Sequence, residues 1–318
     1  MLYRGGHSID PTLTMPNEAF SRLLASTAFP KARHIVLQHE AFDRPLCAVQ
    51  VDHGNSVHMW KDLRREFSTS GYWPLVVSYI GSGSASWDET VLRETKDQFS
   101  RFYFEEESQA GRKGAKTPDP RAILDASVNT EFTYALEAKQ LEDTADLQDE
   151  MNWRLERLVE AYGAVPDRDD LIRQVEASVH PQRHALEQGI FEWELQRGEH
   201  RREPRAPFWY EPEDPLALLL LPIADGFDAL AHIHWWGSFA LGTPATIALM
   251  RSWNSRHGAE LMCHYGTVLQ LHVAQPIADP REAFEVAAAM EVICMQESPS
   301  ETAWDLLGAR HWHLHNRP

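Results

Sequence analysis

Cysteine is scarce in this chain: Cys47, Cys263 and Cys294 are the whole complement of 318 residues. They are odd in number, far apart and form no CxxC pair, so no zinc or redox motif is built on them, and the set reads as a reduced, cytosolic one. Long apolar runs are missing as well. The longest, LALLLLPIA at 216–224, is about half of the roughly 20 residues a membrane helix needs and is expected to be a buried strand. The opening MLYRGGHSIDPTLTMP has no charged segment leading into an apolar one, so no secretory signal is expected. Cationic residues are in deficit: 30 Lys and Arg stand against 47 Asp and Glu, a formal net charge of -17. Such a field repels phosphates, whereas a nucleic-acid surface needs a basic stripe to release counterions, so neither nucleic acid nor a membrane is an expected partner. A basic protein or a cationic ligand suits the charge better. Catalytic signatures are missing too: there is no HExxH, no GKS or GKT behind a glycine-rich loop, and no three-glycine dinucleotide spacing.

What is present suffices for a core. Hydrophobic residues make up 43% and charged residues 24%, and eleven tryptophans are more than a disordered chain carries. The length exceeds the roughly 100 to 200 residues of one usual domain, which points to two domains or to one α/β core carrying an insertion. The runs HIVLQHE (34–40) and LCAVQVD (46–52) read as paired strands across the turn-prone FDRP. NSVHMWKDLRREFSTSG reads as a helix capped by Asn55 or Ser56, with Val57, Trp60, Leu63 and Phe67 at helical spacing and Gly71 as its stop. YWPLVVSYI is the next strand, and IGSGSAS (80–86) leads into a second helix with Ser86 and Glu89 spaced as a capping box. The charged, proline-bearing stretch EEESQAGRKGAKTPDP (105–120) reads as a loop or boundary, and a block rich in helix formers follows, from TEFTYALEAKQ to PQRHALEQGIFEWELQRG.

After a second junction at RGEHRREPRAPFWYEPEDP, α/β patterning returns. LALLLLPIA is a strand; Thr243 is the expected N-cap and Pro244 a first-turn residue of TPATIALMRSWNSRHG, with Gly258 as its stop. AELMCHYG and TVLQLHVAQP form an antiparallel pair, and a helix starts at Asp279 with Pro280 in its first turn and Glu282 as the capping-box acid. The expected fold is α/β in the α+β sense, a mixed sheet flanked by helices with a helical insertion in the middle of the chain. Residues 1–105 form its N-terminal α/β part, 106–205 the helical insertion and 206–318 a C-terminal α/β domain. MWKDLRREFSTSGYWPLVVSYI and LMRSWNSRHGAELMCHYG echo each other as helix, glycine and strand. Two related halves would give that echo, and so would any pair of helix-to-strand connections.

The chain ends HWHLHNRP. In a strand, His311, His313 and His315 face one way, successive ones about 6.6 Å apart and the outer pair roughly 13 Å apart, too far for one ion with zinc–nitrogen bonds of about 2 Å. Two of them could share a divalent metal ion with His232 and His234 of AHIHWWG, which carry the same strand-like spacing. A packed strand end is the plainer reading, under which no metal and no other cofactor is expected. Trp235 and Trp236 before Gly237 could form an aromatic wall for a partner, or one could cap the core while the other lies over the glycine turn. IGSGSAS could offer backbone N–H groups to an anion. Asp52 and His53 could pair as acid and base, or simply make an Asx turn. Cys294, in register with Ala283, Ala287 and Met290 on REAFEVAAAMEVICMQE, is expected to be buried packing and not a reactive thiol. Glu260, close after His257, could be a carboxylate beside an imidazole, or merely the opening of a strand.

LLLLPI, WWGSFALGTP, SWNSRHGAEL, LHVAQP, REAFEVAAAMEVIC and HWHLH follow one another in the pattern of a bacterial family, domain of unknown function 4253, which residues 216–313 resemble. TSGYWPLVV resembles a strand upstream in longer members of that family, while the helical block is unmatched. His257 stands where tyrosine is usual there, and the closing histidines stand where tryptophans and an acid are usual. The resemblance implies a compact α/β domain and no activity, since a fold does not fix a function. The functional expectation is an acidic, cytoplasmic bacterial accessory protein that acts by binding another protein, in the manner of an immunity-type partner neutralising a basic protein. Trp235, Trp236, His232 and His234 are its candidate contacts, and a homo-oligomer is compatible with it. The alternative is a metal-dependent hydrolase in which His232, His234, His311 and His313 hold one divalent ion.

Overall fold

The computed structural model describes residues 16–39, 42–78, 87, 119–133, 147–197, 211–212, 216–233, 235, 237–294 and 298–316. Among them, seven strands make one mixed sheet: β1 (His34–Leu37), β2 (Leu46–Val51), β3 (Trp73–Ser78), β4 (Leu216–Leu221), β5 (Ala259–His264), β6 (Val268–Val273) and β7 (His311–His315). The helices in chain order are α1 (Pro16–Ala25), α2 (Ser56–Arg65), α3 (Phe67–Ser70), α4 (Pro120–Asn129), α5 (Leu147–Tyr162), α6 (Arg168–Ala177), α7 (Gln182–Arg197), a 3-10 helix (Gly226–Ala231), α8 (Ser238–Leu241), α9 (Thr243–His257), α10 (Pro280–Ile293) and α11 (Pro299–Leu306). The fold is the expected α/β one, a mixed sheet with helices packed on it.

The sheet runs β1-β2-β4-β3-β5-β6-β7. Position in it follows from side-chain pattern. LALLLL of β4 sends apolar groups to both faces, which suits a strand buried on both sides, and it pairs antiparallel with β2 on one side and β3 on the other, all six residues buried. At the edge, β7 alternates half-buried histidines with buried Trp312 and Leu314, the period-two mark of a strand packed tightly on one face only. Every neighbouring pair is antiparallel except β3 and β5, where Val76 lies beside Cys263 and Val77 beside His264. Both of those strands follow a helix stopped by a left-handed glycine, Gly71 at φ 66 and Gly258 at φ 60, a conformation that costs a residue with a Cβ. Val76 is five residues past Gly71, and Cys263 five past Gly258. The echo seen in the sequence is thus a pair of helix–glycine–strand units lying side by side in matched register.

Several local expectations give way to neighbouring partners. The helix after residue 55 breaks at Glu66 into α2 and α3; Asn55 is its cap residue without a side-chain bond, and the Ser56 hydroxyl donates at 2.6 Å to Glu211. Gly242, not Thr243, is the cap residue of α9; its φ of 80 turns the chain and its carbonyl accepts from Thr246 N–H. Asp279 does cap α10, accepting from Arg281 N–H at 3.0 Å, but Glu282 turns outward to Arg256 at 3.0 Å in place of closing a capping box. Cys294 stands one residue past α10 in extended backbone and is buried. Residues 119–120, read as the end of a loop, start α4: Asp119 accepts from Arg121 N–H and Pro120 takes the first turn. IGSGSAS and the Ser86/Glu89 pair lie outside the described residues.

One core follows the sheet; a second, smaller one lies within the helical block, where Met151, Leu158 and Tyr162 of α5 meet Leu171 and Val175 of α6 and Leu186 and Ile190 of α7. Phe191 of α7 ties the block to the sheet layer by stacking on Phe284 of α10 at 5.5 Å and packing on Trp304 of α11 at 5.0 Å. Among the described residues no helix is long and apolar enough to cross a membrane.

Candidate functional sites

Beneath that junction lies a buried ionic cluster. Arg154 of α5 is 1% exposed, yet it sits on the apolar stripe Met151, Leu158, Tyr162 at helical spacing. Its Nε stands 2.7 Å from Glu187 of α7, its Nη1 donates to Glu301 of α11 at 3.0 Å and its Nη2 to the Ser300 hydroxyl at 2.6 Å. The Ser300 hydroxyl in turn donates a hydrogen bond to Glu187 at 2.6 Å. Burial works against the guanidinium charge, but Glu187 and Glu301 outweigh it and raise the Arg154 pKa. Arg157 adds a second cation to Glu301 at 3.1 Å.

Above this cluster a groove of about 520 Å³ opens, lined by Trp153, Glu156, Arg157, Glu160, Glu194 and Glu301 among others. Trp153 is 46% exposed, and Glu156 and Glu160 stand one and two turns further along the solvent face of α5. The ring already takes two cations of its own chain, Arg157 at 5.1 Å and Arg154 at 5.6 Å, which leaves its exposed side with Glu156 and Glu160 for a further cationic side chain. Sequence reading missed these residues. An arginine set in an apolar helical stripe was the available clue, since a charge placed there needs buried partners.

The second recess, about 510 Å³, lies at the far end of β4. The residues before β2 (Phe42, Asp43, Arg44), the start of α4 (Asp119, Pro120, Arg121, Leu124), the turn after β4 (Pro222, Ile223, Ala224), and Asp228 and His232 line it. Asp225 caps the 3-10 helix through a capping box with Asp228. Arg251 of α9 joins both acids, at 3.0 Å to Asp225 and 2.5 Å to Asp228, and donates to Ser127 at 2.7 Å. Burial first, and then the charge of Asp225, raises the Asp228 pKa against the pull of Arg251.

The residues singled out in the sequence are dispersed. His232 is the C-cap of the 3-10 helix, at φ -111 and ψ -32, so it is not on a strand; the period-two look of AHIHWWG yields to the capping box upstream of it. Its ring stacks on Phe42 at 4.4 Å. His311 meets His272 across β6 and β7 at 5.6 Å, and His313 and His315 lie on the same face of β7. Trp235 is wholly buried, its ring over Gly237 and its N–H donated to Thr267 carbonyl at 3.2 Å, so it packs the interior and presents no wall. His234 and Trp236 lie outside the described residues. Among the described residues, no group of three His, Cys, Asp or Glu could hold a metal ion. Glu260 pairs with Arg64 and His257 with Glu282, which separates the suggested carboxylate and imidazole. Asp52 accepts from Asn55 through its backbone carbonyl, and His53 faces Glu211 at 3.8 Å. Burial pushes the Cys294 thiol far up, as suits packing.

Burial depresses three imidazoles, His184, His232 and His272, to about 4, with help from His180 at the first, His39 at the second and Lys61 at the third. In the unfolded chain the same rings titrate near 6.5. The unfolded state therefore binds protons first as pH falls, so these rings cost stability progressively from about pH 6.5 down to about pH 4 and cost none above. The urea midpoint is expected to hold near neutrality and to fall through that window. A midpoint flat between about pH 6.5 and 5 would contradict the buried neutral rings.

Residues 217–315 match the family described as Domain of unknown function (DUF4253). The match takes in β4 to β7 and the helices between them, and thus Asp228, His232 and Glu301; the helical block with Trp153 lies outside it. No curated protein and no solved structure matches the chain.

Proposed function

We propose that this chain is an acidic accessory protein of the bacterial cytoplasm that acts by binding a basic protein, in the manner of an immunity-type neutralising partner. The observation that carries the reading is the groove at Trp153, where the exposed indole stands among Glu156, Glu160, Glu194 and Glu301 in a chain of net charge -17. Trp and Arg dominate binding energy when they meet in desolvated pockets, and a complementary field speeds encounter. Arg157 and Arg154 already lie over the ring at 5.1 and 5.6 Å, so an arginine or lysine of the partner meets the indole at its exposed side, beside Glu156 and Glu160.

The test is a pull-down with the intact chain from its native host, followed by affinity measurements with the recovered partner across ionic strengths. A basic partner is expected, bound more weakly as salt rises, because exposed charges are screened within about 10 Å at 0.1 M. Trp153→Ala and the pair Glu156→Lys with Glu160→Lys are each expected to weaken it by about tenfold or more. An affinity indifferent to salt and to all three substitutions would end this reading.

A further inference from the structure

The recess at the end of β4 has a different chemistry from the groove. Around it stand three guanidinium groups, and two are already matched: Arg121 with Asp43 at 2.7 Å, and Arg251 with Asp225 and Asp228. Asp119 is occupied by the first turn of α4. Arg44 differs. It gives one N–H to Gly71 carbonyl at 2.8 Å and lies over the Tyr72 ring at 4.7 Å, which fixes the group in place, and no carboxylate among the described residues is bonded to it. The rim therefore carries one oriented cation with donors to spare, in a molecule that is otherwise anionic.

One part of the wall is apolar, made by Leu124, Pro222, Ile223 and Phe42, and Asp43, Asp119, Arg121 and Asp228 give it polar parts beside Arg44. His232, stacked on Phe42, has its Nδ1 buried and without a hydrogen-bond partner among the described residues. The recess is within the roughly 300–1,000 Å³ of small-molecule sites.

We infer that this recess binds a small organic anion with a flat apolar body, its carboxylate or phosphate held by Arg44 and the body lying on Leu124 and Ile223 beside the His232 ring. Arg44 supplies charge and direction, since a guanidinium meets either anion through paired N–H groups. Ile223, in the turn after β4, and His232, the C-cap of the 3-10 helix, belong to the matched family region, whereas Arg44 and Leu124 come from segments outside it.

Phenyl phosphate, with inorganic phosphate beside it, serves as the probe in calorimetric titration of the intact chain. Saturable binding of phenyl phosphate is expected, with inorganic phosphate at least about tenfold weaker for want of the apolar body. Arg44→Ala is expected to weaken phenyl phosphate by about tenfold or more, the size of a lost charge-assisted hydrogen bond. Ala224→Phe, at an exposed lining position, fills the recess without touching Arg44 and is expected to abolish binding; circular dichroism and thermal melting confirm that both variants fold. No saturable binding by the unaltered chain, equal affinity for the two phosphates, or binding retained in either folded variant overturns the inference.

Discussion

Arg154→Ala is expected to lower the stability of the protein by about 3–5 kcal/mol, read as the shift in urea unfolding at neutral pH, because the substitution leaves carboxylates buried without their counter-charge. Glu187 is 0% exposed and Glu301 6%. With Arg154 gone, Glu187 keeps the Ser300 hydroxyl and backbone N–H but no cation, and Glu301 keeps the half-buried Arg157 as counter-charge. Both acids must then take up protons or admit water. The loss is therefore expected to shrink as pH falls into the carboxylate range, where protonation removes the stranded charge. The triple change Arg154→Met, Glu187→Leu, Glu301→Leu separates the cost of breaking the cluster from the worth of having it. Replacing a whole buried ionic group with apolar side chains is often neutral or stabilising, so the triple variant is expected to recover most of the loss. If Arg154→Ala costs no more than about 0.5 kcal/mol, the level of an ordinary surface substitution, the cluster is not a sealed ionic junction.

That cluster also shows where sequence reading stops. Arg154 and Glu301 are 147 residues apart in the chain, and no local pattern encodes their meeting. What was legible has a local cause. Gly71 and Gly258 announce helix ends because of the left-handed backbone they adopt, LALLLL announces a strand dry on both faces, and HWHLH announces one packed on a single face. The order of strands was not legible. Nothing within residues 34–78 says that β4, more than 130 residues later, separates β2 from β3. AHIHWWG failed for the opposite reason, since its alternation imitates a strand while the Asp225–Asp228 pair just before it closes a capping box. Asp119-Pro120 was likewise a cap and first-turn signal inside a stretch whose charge and prolines read as loop. The candidate sites were the least legible part. They are made where α5, α7 and α11 converge and where three separate turns meet beyond β4; of the two proposed contacts among the described residues, His232 lines the recess and Trp235 is buried in the core.

Trp60→Ala is expected to cost about 3–5 kcal/mol, the range for truncating a buried aromatic. The side chain is 1% exposed and holds α2 on the sheet beside Met59 and Leu63, within 6.4 Å of Trp73 and 5.7 Å of His272. It also has a polar task. The registered pairs between β3 and β5 are only Val76 with Cys263 and Val77 with His264, and next to them the β5–β6 pairing shifts register between Leu261 and Cys263. Where the two strands part, indoles bond the backbone: Trp60 donates to Pro74 carbonyl at 2.8 Å and Trp73 to Leu261 carbonyl at 3.0 Å. Trp60→Phe retains much of the ring's packing and removes the donor, leaving the Pro74 carbonyl without it. A loss of about 1–3 kcal/mol is expected there, the cost of stranding a buried polar group, with the remainder of the alanine effect assigned to cavity and lost contact. Equal losses in the two variants would place the whole effect in the hydrogen bond. A phenylalanine variant as stable as the unaltered protein would mean that the opening between β3 and β5 is satisfied by other donors. Because β3 is the strand that joins the N-terminal strands and β4 to β5, β6 and β7, the alanine variant is expected to lose both halves of the sheet in one cooperative transition, with tryptophan fluorescence and far-ultraviolet dichroism changing together.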